Sequence, residues 1–215
     1  MKYGVLVAFV FCHEITKTQI GIIKLKQILI ATTNKGKLND VKEILKDLDV
    51  EILSFLDFND YPNVEETGLT FLENAELKVK AAVEKYGIPS FGDDSGLEAF
   101  QLNGEPGIYS ARYAGEDSDD EQNNLKLIKK LSEFPEPHPG RFVCAAVYYD
   151  GNEFNSAIGE VRGNIIKNPR GKNGFGYDPL FIPNGYNITT AEMSHEEKNK
   201  ISHRLNAFKE LKKYL

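Results

Sequence analysis

Cysteine is scarce in this sequence of 215 residues, which contains only Cys12 and Cys144. Two cysteines cannot build a disulfide framework, and neither belongs to a Cys-x-x-Cys pair, so we expect a reducing, cytoplasmic location. Basic residues are also fewer than acidic ones, since the sequence has 26 Lys and Arg and 32 Asp and Glu, which gives a net charge of −6. This acidic balance disfavours a nucleic-acid-binding role, but it leaves room for the binding of one nucleotide.

A long hydrophobic run is missing as well. The apolar stretch at residues 4–12 is too short to span a bilayer, and no small-x-small cleavage pattern follows it. We therefore predict that the protein has no membrane partner. Residues 1–24 can be interpreted as a weak signal peptide or as an over-extended translation start, and we favour a dispensable extension. The expected organisation is then a single domain over residues 25–215.

Several signatures of common catalytic sites are absent too. The four histidines are scattered without metal-ligand spacing, so the sequence does not predict a zinc site. The spacing of a Walker A motif and the Gly-x-Ser-x-Gly elbow of α/β hydrolases are both missing. Internal repeats and low-complexity segments are missing as well. Any chemistry must therefore depend on other polar residues.

Hydrophobic periodicity predicts alternating strands and helices. Residues 27–31 form an apolar run of buried-strand length, and a helical stripe begins after the polar loop that follows. A capping box at Thr70 and Glu73 predicts the start of a second helix, which Gly87 ends. Residues 141–159 are typical of a β-hairpin with an Asp-Gly turn, with further short strands at 163–166 and 180–182. This pattern predicts an α/β fold with a mixed sheet.

Capping signals mark the starts of two further helical segments. A capping box at residues 118–121 predicts a third helix. Its expected apolar stripe is Leu125, Ile128 and Leu131. Another capping box, at residues 194–197, opens the C-terminal helical stretch. This stretch can form one helix, or Ser202 can cap a second helix with His203 and Arg204 in its first turn.

Two adjacent carboxylates, Asp93 and Asp94, follow a predicted strand at residues 88–92 and precede a Ser-Gly turn. Like charges raise each other's pKa unless a cation shares the site, so the pair indicates a magnesium or general-base site at a strand end. Asp94 is nearer the turn and is therefore the better placed to reach solvent. Glu66 can join it around a hard cation, because Mg²⁺ takes one or two carboxylates together with phosphate oxygens and water. Glu66 can equally serve only to complement a helix dipole.

Two further segments have the composition of a nucleotide site. Residues 32–37 place two hydroxyls and two lysines between a strand and a helix N-terminus, as in a phosphate cradle or an ordinary solvated turn. Residues 175–179, Phe-Gly-Tyr-Asp-Pro, offer aromatic faces that can stack on a base or pack in the core. His203 and Arg204 supply hydrogen-bond donors. Arg112 belongs to an irregular loop at residues 104–113 and could approach a phosphate, but we do not include it in the predicted site.

The order of these motifs along the chain is more specific than any one of them. Six segments follow one another: Thr-x-Asn-x-Gly-Lys, Glu-Glu-Thr-Gly-Leu-Thr-Phe-x-Glu-Asn-Ala, Asp-Asp-Ser-Gly-Leu, Pro-Gly-Ile-Tyr-Ser-Ala-Arg-Tyr, Gly-Phe-Gly-Tyr-Asp-Pro and Ile-Ser-His-Arg. In this order the sequence resembles the inosine triphosphate pyrophosphatase family, the Mg²⁺-dependent nucleoside triphosphate pyrophosphatases that remove deaminated purine nucleotides. The resemblance runs from about Lys26 to the C-terminus.

The resemblance implies hydrolysis of ITP, dITP or XTP to the monophosphate and pyrophosphate by a homodimer. It implies a fold with an elongated mixed β-sheet flanked by helices, divided into two lobes with the active site in the cleft between them. Glu66 and Asp94 would hold Mg²⁺, and Asp94 would also accept the proton of the attacking water, leaving Asp93 in a supporting role. The residues implied to bind substrate are Thr32, Thr33, Asn34, Lys35, Gly36, Lys37, Ser95, Phe175, Gly176, Tyr177, Asp178, Lys198, His203 and Arg204.

Two other functions fit the same residues. One is a related pyrophosphatase that prefers dTTP, UTP or modified pyrimidine nucleotides. The other is a nucleotide-binding protein without turnover, and the presence of both Glu66 and Asp94 argues against it.

Overall fold

One mixed β-sheet of six strands organises residues 26–215, which are the residues that the computed structural model describes. The strands are β1 (Lys26–Ile30), β2 (Val50–Ser54), β3 (Ser90–Ala99), β4 (His138–Tyr149), β5 (Phe154–Ile165) and β6 (Phe181–Pro183). Their spatial order is β2-β1-β3-β4-β5-β6, with β1 parallel to both of its neighbours and every later pair antiparallel. The predicted α/β fold with a mixed sheet is confirmed. The predicted extension over residues 1–24 lies outside the described residues.

Five α-helices flank this sheet in the described part of the chain. They are α1 (Lys35–Leu45), α2 (Phe71–Tyr86), α3 (Asp120–Leu131), α4 (His195–Ile201) and α5 (His203–Leu211). In residues 26–215, no helix has the length and apolar content needed to cross a membrane. The helices pack on both faces of the sheet.

Local sequence signals explain where the first helices begin. Asn34 caps α1, since its side-chain oxygen accepts a hydrogen bond from the Lys37 backbone N–H at 3.0 Å. Thr70 and Glu73 form the predicted capping box of α2. β1 is buried on both faces from Ile28 onward, as its continuous apolar run predicts. The strand–loop–helix opening of the domain is therefore confirmed.

The third helix departs from its prediction by one residue. Its capping box is formed by Asp119 and Gln122, because the Ser118 hydroxyl is already bonded to the Gly115 carbonyl in the preceding turn. The predicted apolar stripe is wrong at Leu125, which is 58% exposed, whereas Leu127 is fully buried. Ser118 and Asp119 are adjacent and both can cap a helix N-terminus, so the sequence alone does not decide at which of them the helix begins.

The predicted hairpin is confirmed, but its turn and its second strand differ from the prediction. β4 and β5 pair from Tyr149 and Phe154 outward, so the loop holds residues 150–153 instead of two residues. Asp150 Oδ1 accepts hydrogen bonds from two backbone N–H groups of this loop, at 2.8 and 2.9 Å, which stabilises the longer turn. The predicted separate strand at 163–166 is the end of β5, which continues to Ile165.

The C-terminal stretch forms two helices, so the second of the two interpretations is confirmed. Ser202 ends α4 with extended backbone angles, and its side chain accepts a hydrogen bond from the Leu205 N–H at 3.0 Å to cap α5. His203 and Arg204 consequently lie in the first turn of α5, where both are buried. One straight helix would have carried His203 to the other side.

Apolar residues collect in separate clusters along the sheet. One cluster packs β1 against α1 and α5, and another packs α2 on the opposite face of β1. A further cluster lies at the other end of the sheet, where α3 covers the far ends of β3, β4 and β5. These clusters are the cores of the two predicted lobes. The cavity between them takes Ala31 and Phe55 from one lobe and Phe142 and Tyr177 from the other.

Candidate active site

A cavity of about 390 Å³ between the two lobes collects most of the residues predicted from the sequence. The predicted residues that line it are Thr32, Thr33, Asn34, Lys37, Glu66, Asp94, Ser95, Phe175, Gly176, Tyr177, Asp178, Lys198, His203 and Arg204. Lys35 and Gly36 do not line it. Lys35 is exposed on the first turn of α1, and Gly36 lies beneath the ring of Phe175. Segments far apart in sequence therefore converge on one cleft.

The adjacent carboxylates lie within a strand and not at its end, so that prediction is wrong. β3 runs to Ala99 because β4 pairs with it along its whole length, whereas the register with β1 covers only Ser90 and Phe91. Beyond this point β1 has ended, and the edge of β3 on that side faces the cavity. Successive strand residues point to opposite faces, so Asp93 and Asp94 meet different surroundings.

Asp94 faces α2 and shares a lysine with Glu66. Lys78 Nζ lies 3.3 Å from Asp94 Oδ1 and 3.0 Å from Glu66 Oε1. Asn74 Nδ2 donates to the second oxygen of Asp94 at 3.4 Å, and Arg112 Nη1 donates to Glu66 Oε2 at 3.2 Å. The two carboxylates therefore converge on one cationic point at the cavity wall.

At Glu66 and Lys78, the opposite charges of neighbouring side chains together shift the pKa more than burial does. Burial alone would raise the pKa of Glu66, but the ammonium of Lys78 and the guanidinium of Arg112 lower it below its ordinary value. Burial would likewise lower the pKa of Lys78, and the facing carboxylates of Asp94 and Glu66 raise it instead. Both Glu66 and Lys78 are consequently charged at neutral pH.

Asp93 faces the opposite side of the sheet and is buried, with 1% of its side chain exposed. Its Oδ2 lies 3.2 Å from Lys37 Nζ and 3.2 Å from Arg204 Nη2. Burial would raise the pKa of Asp93, but these two cations hold it well below its usual range. Asp93 thus anchors two cavity-lining cations from beneath, which gives physical content to the supporting role expected for it.

Arg204 is fixed by three side chains. Its Nη1 donates to Asp40 Oδ2 at 2.7 Å, and its Nη2 donates to Ser95 Oγ at 3.0 Å as well as to Asp93. Burial would lower its pKa, but the surrounding carboxylates raise it, so Arg204 stays charged. Its Nε is buried and has no hydrogen-bond partner among residues 26–215. Three of the five N–H groups of this guanidinium have acceptors, so the Nε–H and one N–H of Nη1 are left without one within the described residues.

His203 lies in the cavity wall as a neutral imidazole. Its ring stacks on Phe142 with centroids 5.0 Å apart and planes inclined by 13°. Burial, together with the neighbouring positive charges of Arg204 and Lys198, lowers its pKa well below the ordinary value. A neutral imidazole has one donor and one acceptor nitrogen, so His203 can complete a hydrogen-bond pattern without adding charge.

The loop at residues 175–178 lines part of the cavity. The Phe175 ring lies over Lys198 Nζ at 4.8 Å from its centroid. It also packs on Gly36 so closely that an added Cβ would lie 2.6 Å from Phe175 Cδ1. Tyr177 is buried in the core and its hydroxyl donates to the Ser110 carbonyl at 2.8 Å. Of the two aromatic faces, Phe175 is thus the one that remains available to a ligand.

Asp178 is fully engaged with protein donors. Its Oδ2 accepts from Lys198 Nζ at 2.5 Å and from the Phe175 N–H at 2.9 Å, and its Oδ1 accepts from Thr190 Oγ1 at 2.8 Å. The carboxylate therefore fixes the shape of the loop and the place of Lys198. A direct bond from Asp178 to a base or ribose would have to share these oxygens.

Several site residues were missed by the sequence reasoning. Lys78 and Asn74 are spaced i,i+4 on α2, which places them on one helix face, but no sequence pattern distinguishes them from the other polar residues of that amphipathic helix. Asp40 is separated from Arg204 by 164 positions, so no local pattern could pair them. Arg112, which was left out of the predicted site, does reach the cavity wall through Glu66.

Comparisons with known proteins identify the family of this chain. The model of the Ham1 family matches residues 28–214. A dITP/XTP pyrophosphatase of Oceanobacillus iheyensis is 44% identical over 194 residues, which cover 89% of this chain and 98% of that protein. A dITP/XTP pyrophosphatase of Aquifex aeolicus is 46% identical over 193 residues, covering 86% of this chain and 94% of that protein.

Solved structures extend the similarity to the fold. The Ham1 protein of Staphylococcus aureus superimposes with a TM-score of 0.78 at 44% identity, covering 88% of this chain and 97% of that one. A HAM1 protein from Coxiella burnetii superimposes with a TM-score of 0.80 at 36% identity, covering 87% of this chain and 97% of that one. Both comparisons span nearly the whole of the described fold.

Proposed function

The chain belongs to the Ham1 family, and from that premise we propose that it hydrolyses the deaminated purine nucleotides ITP, dITP and XTP to the monophosphate and pyrophosphate. Curated relatives at 44–46% identity are dITP/XTP pyrophosphatases. One observation carries the proposal for this chain. A single cleft holds two converging carboxylates, Glu66 and Asp94, beside a set of fixed cations that includes Lys37 and Arg204.

The triphosphate is proposed to bind where β1 meets α1. Thr32, Thr33 and Asn34 line the cavity there, and Lys37 extends along it while held by Asp93. A helix N-terminus carries partial positive charge and free N–H groups, which favour phosphate. Because Lys37 is already oriented by a buried carboxylate, little of its side-chain entropy remains to be lost when a phosphate binds.

The donor set at Glu66 and Asp94 suits Mg²⁺. Both side chains offer hard carboxylate oxygens, and both lie within 3.3 Å of the one cation, Lys78 Nζ, that they share. Among residues 26–215 no three His, Cys, Asp or Glu residues converge, so the protein would supply two ligands and the phosphates and water the rest. When bound, the metal would neutralise phosphate charge and lower the pKa of a water molecule.

Asp94 is proposed to accept the proton of the attacking water. Its two oxygens are held by Lys78 and Asn74 through long contacts of 3.3 and 3.4 Å, so they are oriented but only weakly engaged. A general base must lie within hydrogen-bond reach of the proton that it removes, and Asp94 lines the cavity. Lys78 and Lys37 are placed to stabilise the negative charge that develops on the leaving pyrophosphate.

Discrimination between bases is proposed to depend on Arg204. Arg204 lines the cavity, and only three of its five N–H groups donate to protein acceptors, on Asp40, Asp93 and Ser95, so it keeps N–H donors without an acceptor among the described residues. A 6-oxo group supplies an acceptor for such a donor, whereas the 6-amino group of adenine would place donor against donor and leave a buried polar group unsatisfied. His203, which is neutral, adds a further donor and acceptor beside it.

We also propose a homodimer acting in the cytoplasm. Members of the family that the sequence resembles are usually dimers, and deaminated triphosphates arise in the intracellular nucleotide pool. The buried thiol of Cys144, whose pKa burial raises, is unreactive and needs no oxidising compartment. Light scattering coupled to size exclusion tests the dimer directly, and a monomer at micromolar concentration would contradict it.

The function is tested by product analysis across a nucleotide panel. The full-length protein is incubated with Mg²⁺ and ITP, dITP, XTP, ATP or dTTP, and pyrophosphate and orthophosphate are measured separately. We expect pyrophosphate from the three 6-oxo purines and little product from ATP. Equal turnover of ATP would contradict recognition of the 6-oxo group, and preferential turnover of dTTP would support a pyrimidine pyrophosphatase instead. Release of orthophosphate would contradict attack at the α-phosphate.

A further inference from the structure

Two side chains on one face of α3 form hydrogen bonds with the backbone of Gly176, one with its N–H and one with its carbonyl. The Gly176 N–H donates to Asp120 Oδ2 at 2.6 Å, and the Gly176 carbonyl accepts from Asn124 Nδ2 at 3.1 Å. Asp120 and Asn124 are spaced i,i+4 and therefore lie on the same side of the helix. Neither residue belongs to the site predicted from the sequence.

Gly176 lies between Tyr177, which is held in place, and Phe175, whose ring lines the cavity. On one side, Tyr177 is 4% exposed and tied to the Ser110 carbonyl. On the other side, Phe175 is half-buried over Lys198 and packed on Gly36. Gly176 has φ +61°, which a glycine adopts without strain, but the conformational freedom of glycine means that its peptide is fixed only by the bonds that it forms. The two bonds from α3 supply that constraint.

Asp120 lies in the first turn of α3, where a carboxylate complements the helix dipole, but it also lies beside the cavity. Asp120 is exposed, lines the cavity, and forms no ion pair within residues 26–215. A carboxylate beside a cleft that receives a polyanion repels it. Asn124 is buried, and its Oδ1 has no hydrogen-bond partner in the described part of the chain, so its amide is oriented by the bond to Gly176. Both side chains thus act on the loop.

We propose that Asp120 and Asn124 are positioning residues, which hold Gly176 so that Phe175 is set over the cavity before a nucleotide binds. A pre-ordered ring loses less entropy on stacking against a base, so the pair raises affinity without touching the reacting atoms. The choice of ITP as the ligand rests on the proposed function, whereas the positioning of the loop does not.

Steady-state kinetics with ITP provide the first test. Because Asp120→Ala removes a charged acceptor, we expect KM to rise roughly tenfold with kcat nearly unchanged. Asp120→Asn keeps an oxygen in the same place and should stay within about threefold of the wild type. Glu121→Ala is the matched control, since Glu121 is the next exposed acid in the same helix turn and has no side-chain bond within residues 26–215. It should leave KM unchanged.

A double-mutant cycle tests whether the two residues act through the same peptide. Asn124→Ala should also raise KM, and Asp120→Ala combined with Asn124→Ala should raise it by less than the product of the single effects. Independent, multiplying effects would contradict a shared action on Gly176. So would a fall in kcat without a change in KM, because a positioning role predicts loss of binding that is uniform in ground and transition states.

Hydrogen–deuterium exchange gives a readout that does not depend on the reaction. In the protein without nucleotide, Asp120→Ala should speed exchange of amides in residues 174–178, because the Gly176 N–H loses its acceptor. Asp120→Asn and Glu121→Ala should leave the exchange as in the wild type. Unchanged exchange in Asp120→Ala would overturn the inference. Faster exchange in a protein that hydrolyses no nucleotide would support the positioning and contradict the proposed function alone.

Discussion

Replacing Asp93 with Asn should destabilise the fold far more than the same change at its neighbour. Asp93 is 1% exposed and pairs with Arg204 and Lys37, each at 3.2 Å. Breaking a buried pair typically costs 3–5 kcal/mol, because the partner is left charged and uncompensated. Arg204 keeps Asp40 at 2.7 Å, and Lys37 is 15% exposed, so both have some compensation. We therefore expect the free energy of unfolding to fall by about 3 kcal/mol, at the low end of that range.

Urea unfolding at neutral pH measures this loss, and Asp94→Asn is the matched control. Lys78 keeps Glu66 as a partner at 3.0 Å when Asp94 is neutralised, and the contacts of Asp94 itself are long, so we expect that variant to lose less, about 1–2 kcal/mol. The difference between the wild type and Asp93→Asn should also depend on pH. The pKa of Asp93 is lowered in the folded state, so its stabilisation is present above about pH 4 and is lost as the pH falls below it. Equal losses in the two variants would refute the separation of roles.

Three further results are expected. His203→Gln should flatten the pH dependence of stability. The lowered pKa of His203 makes the wild type lose up to about 1.4 kcal/mol of unfolding free energy per pH unit as the pH falls below about 6.5. An unchanged slope in urea unfolding of the variant would contradict this. Gly36→Ala should raise the KM for ITP, because its Cβ would displace the Phe175 ring at 2.6 Å, and a normal KM would show that the ring position is unimportant. In Lys78→Met, Glu66 and Asp94 lose the cation that they share, so addition of Mg²⁺ alone should raise the melting temperature of this variant more than that of the wild type. Equal rises in the two proteins would argue against a metal between these carboxylates.

Local signals predicted the elements that depend on neighbouring residues. The capping box at Thr70 and the buried run of β1 each involve residues within one helical turn or one strand, so their structure follows from the sequence directly. The predicted end of the strand before Asp93 was wrong for a different reason. β3 is extended by pairing with β4, which lies about 50 positions away, and a Ser-Gly pair within a long antiparallel ladder does not make a turn.

The candidate site shows the same division. The motifs identified residues that line the cleft, because their composition reflects the chemistry of phosphate and metal binding. The residues that hold them in place were not visible. Asp40 reaches Arg204 across 164 positions, and Asn124 reaches Gly176 across 52. Such residues carry no motif of their own, since their role is set only by the fold.

The central claim, that Asp94 performs chemistry while Asp93 supports the site, is tested most directly on Asp94→Asn. Pyrophosphate release from ITP is measured with Mg²⁺, and ITP binding to the same protein is measured by calorimetry. We expect release to fall by at least about 100-fold, the range typical for a lost general base, while binding remains measurable. Near-normal pyrophosphate release from Asp94→Asn would contradict the role assigned to this carboxylate.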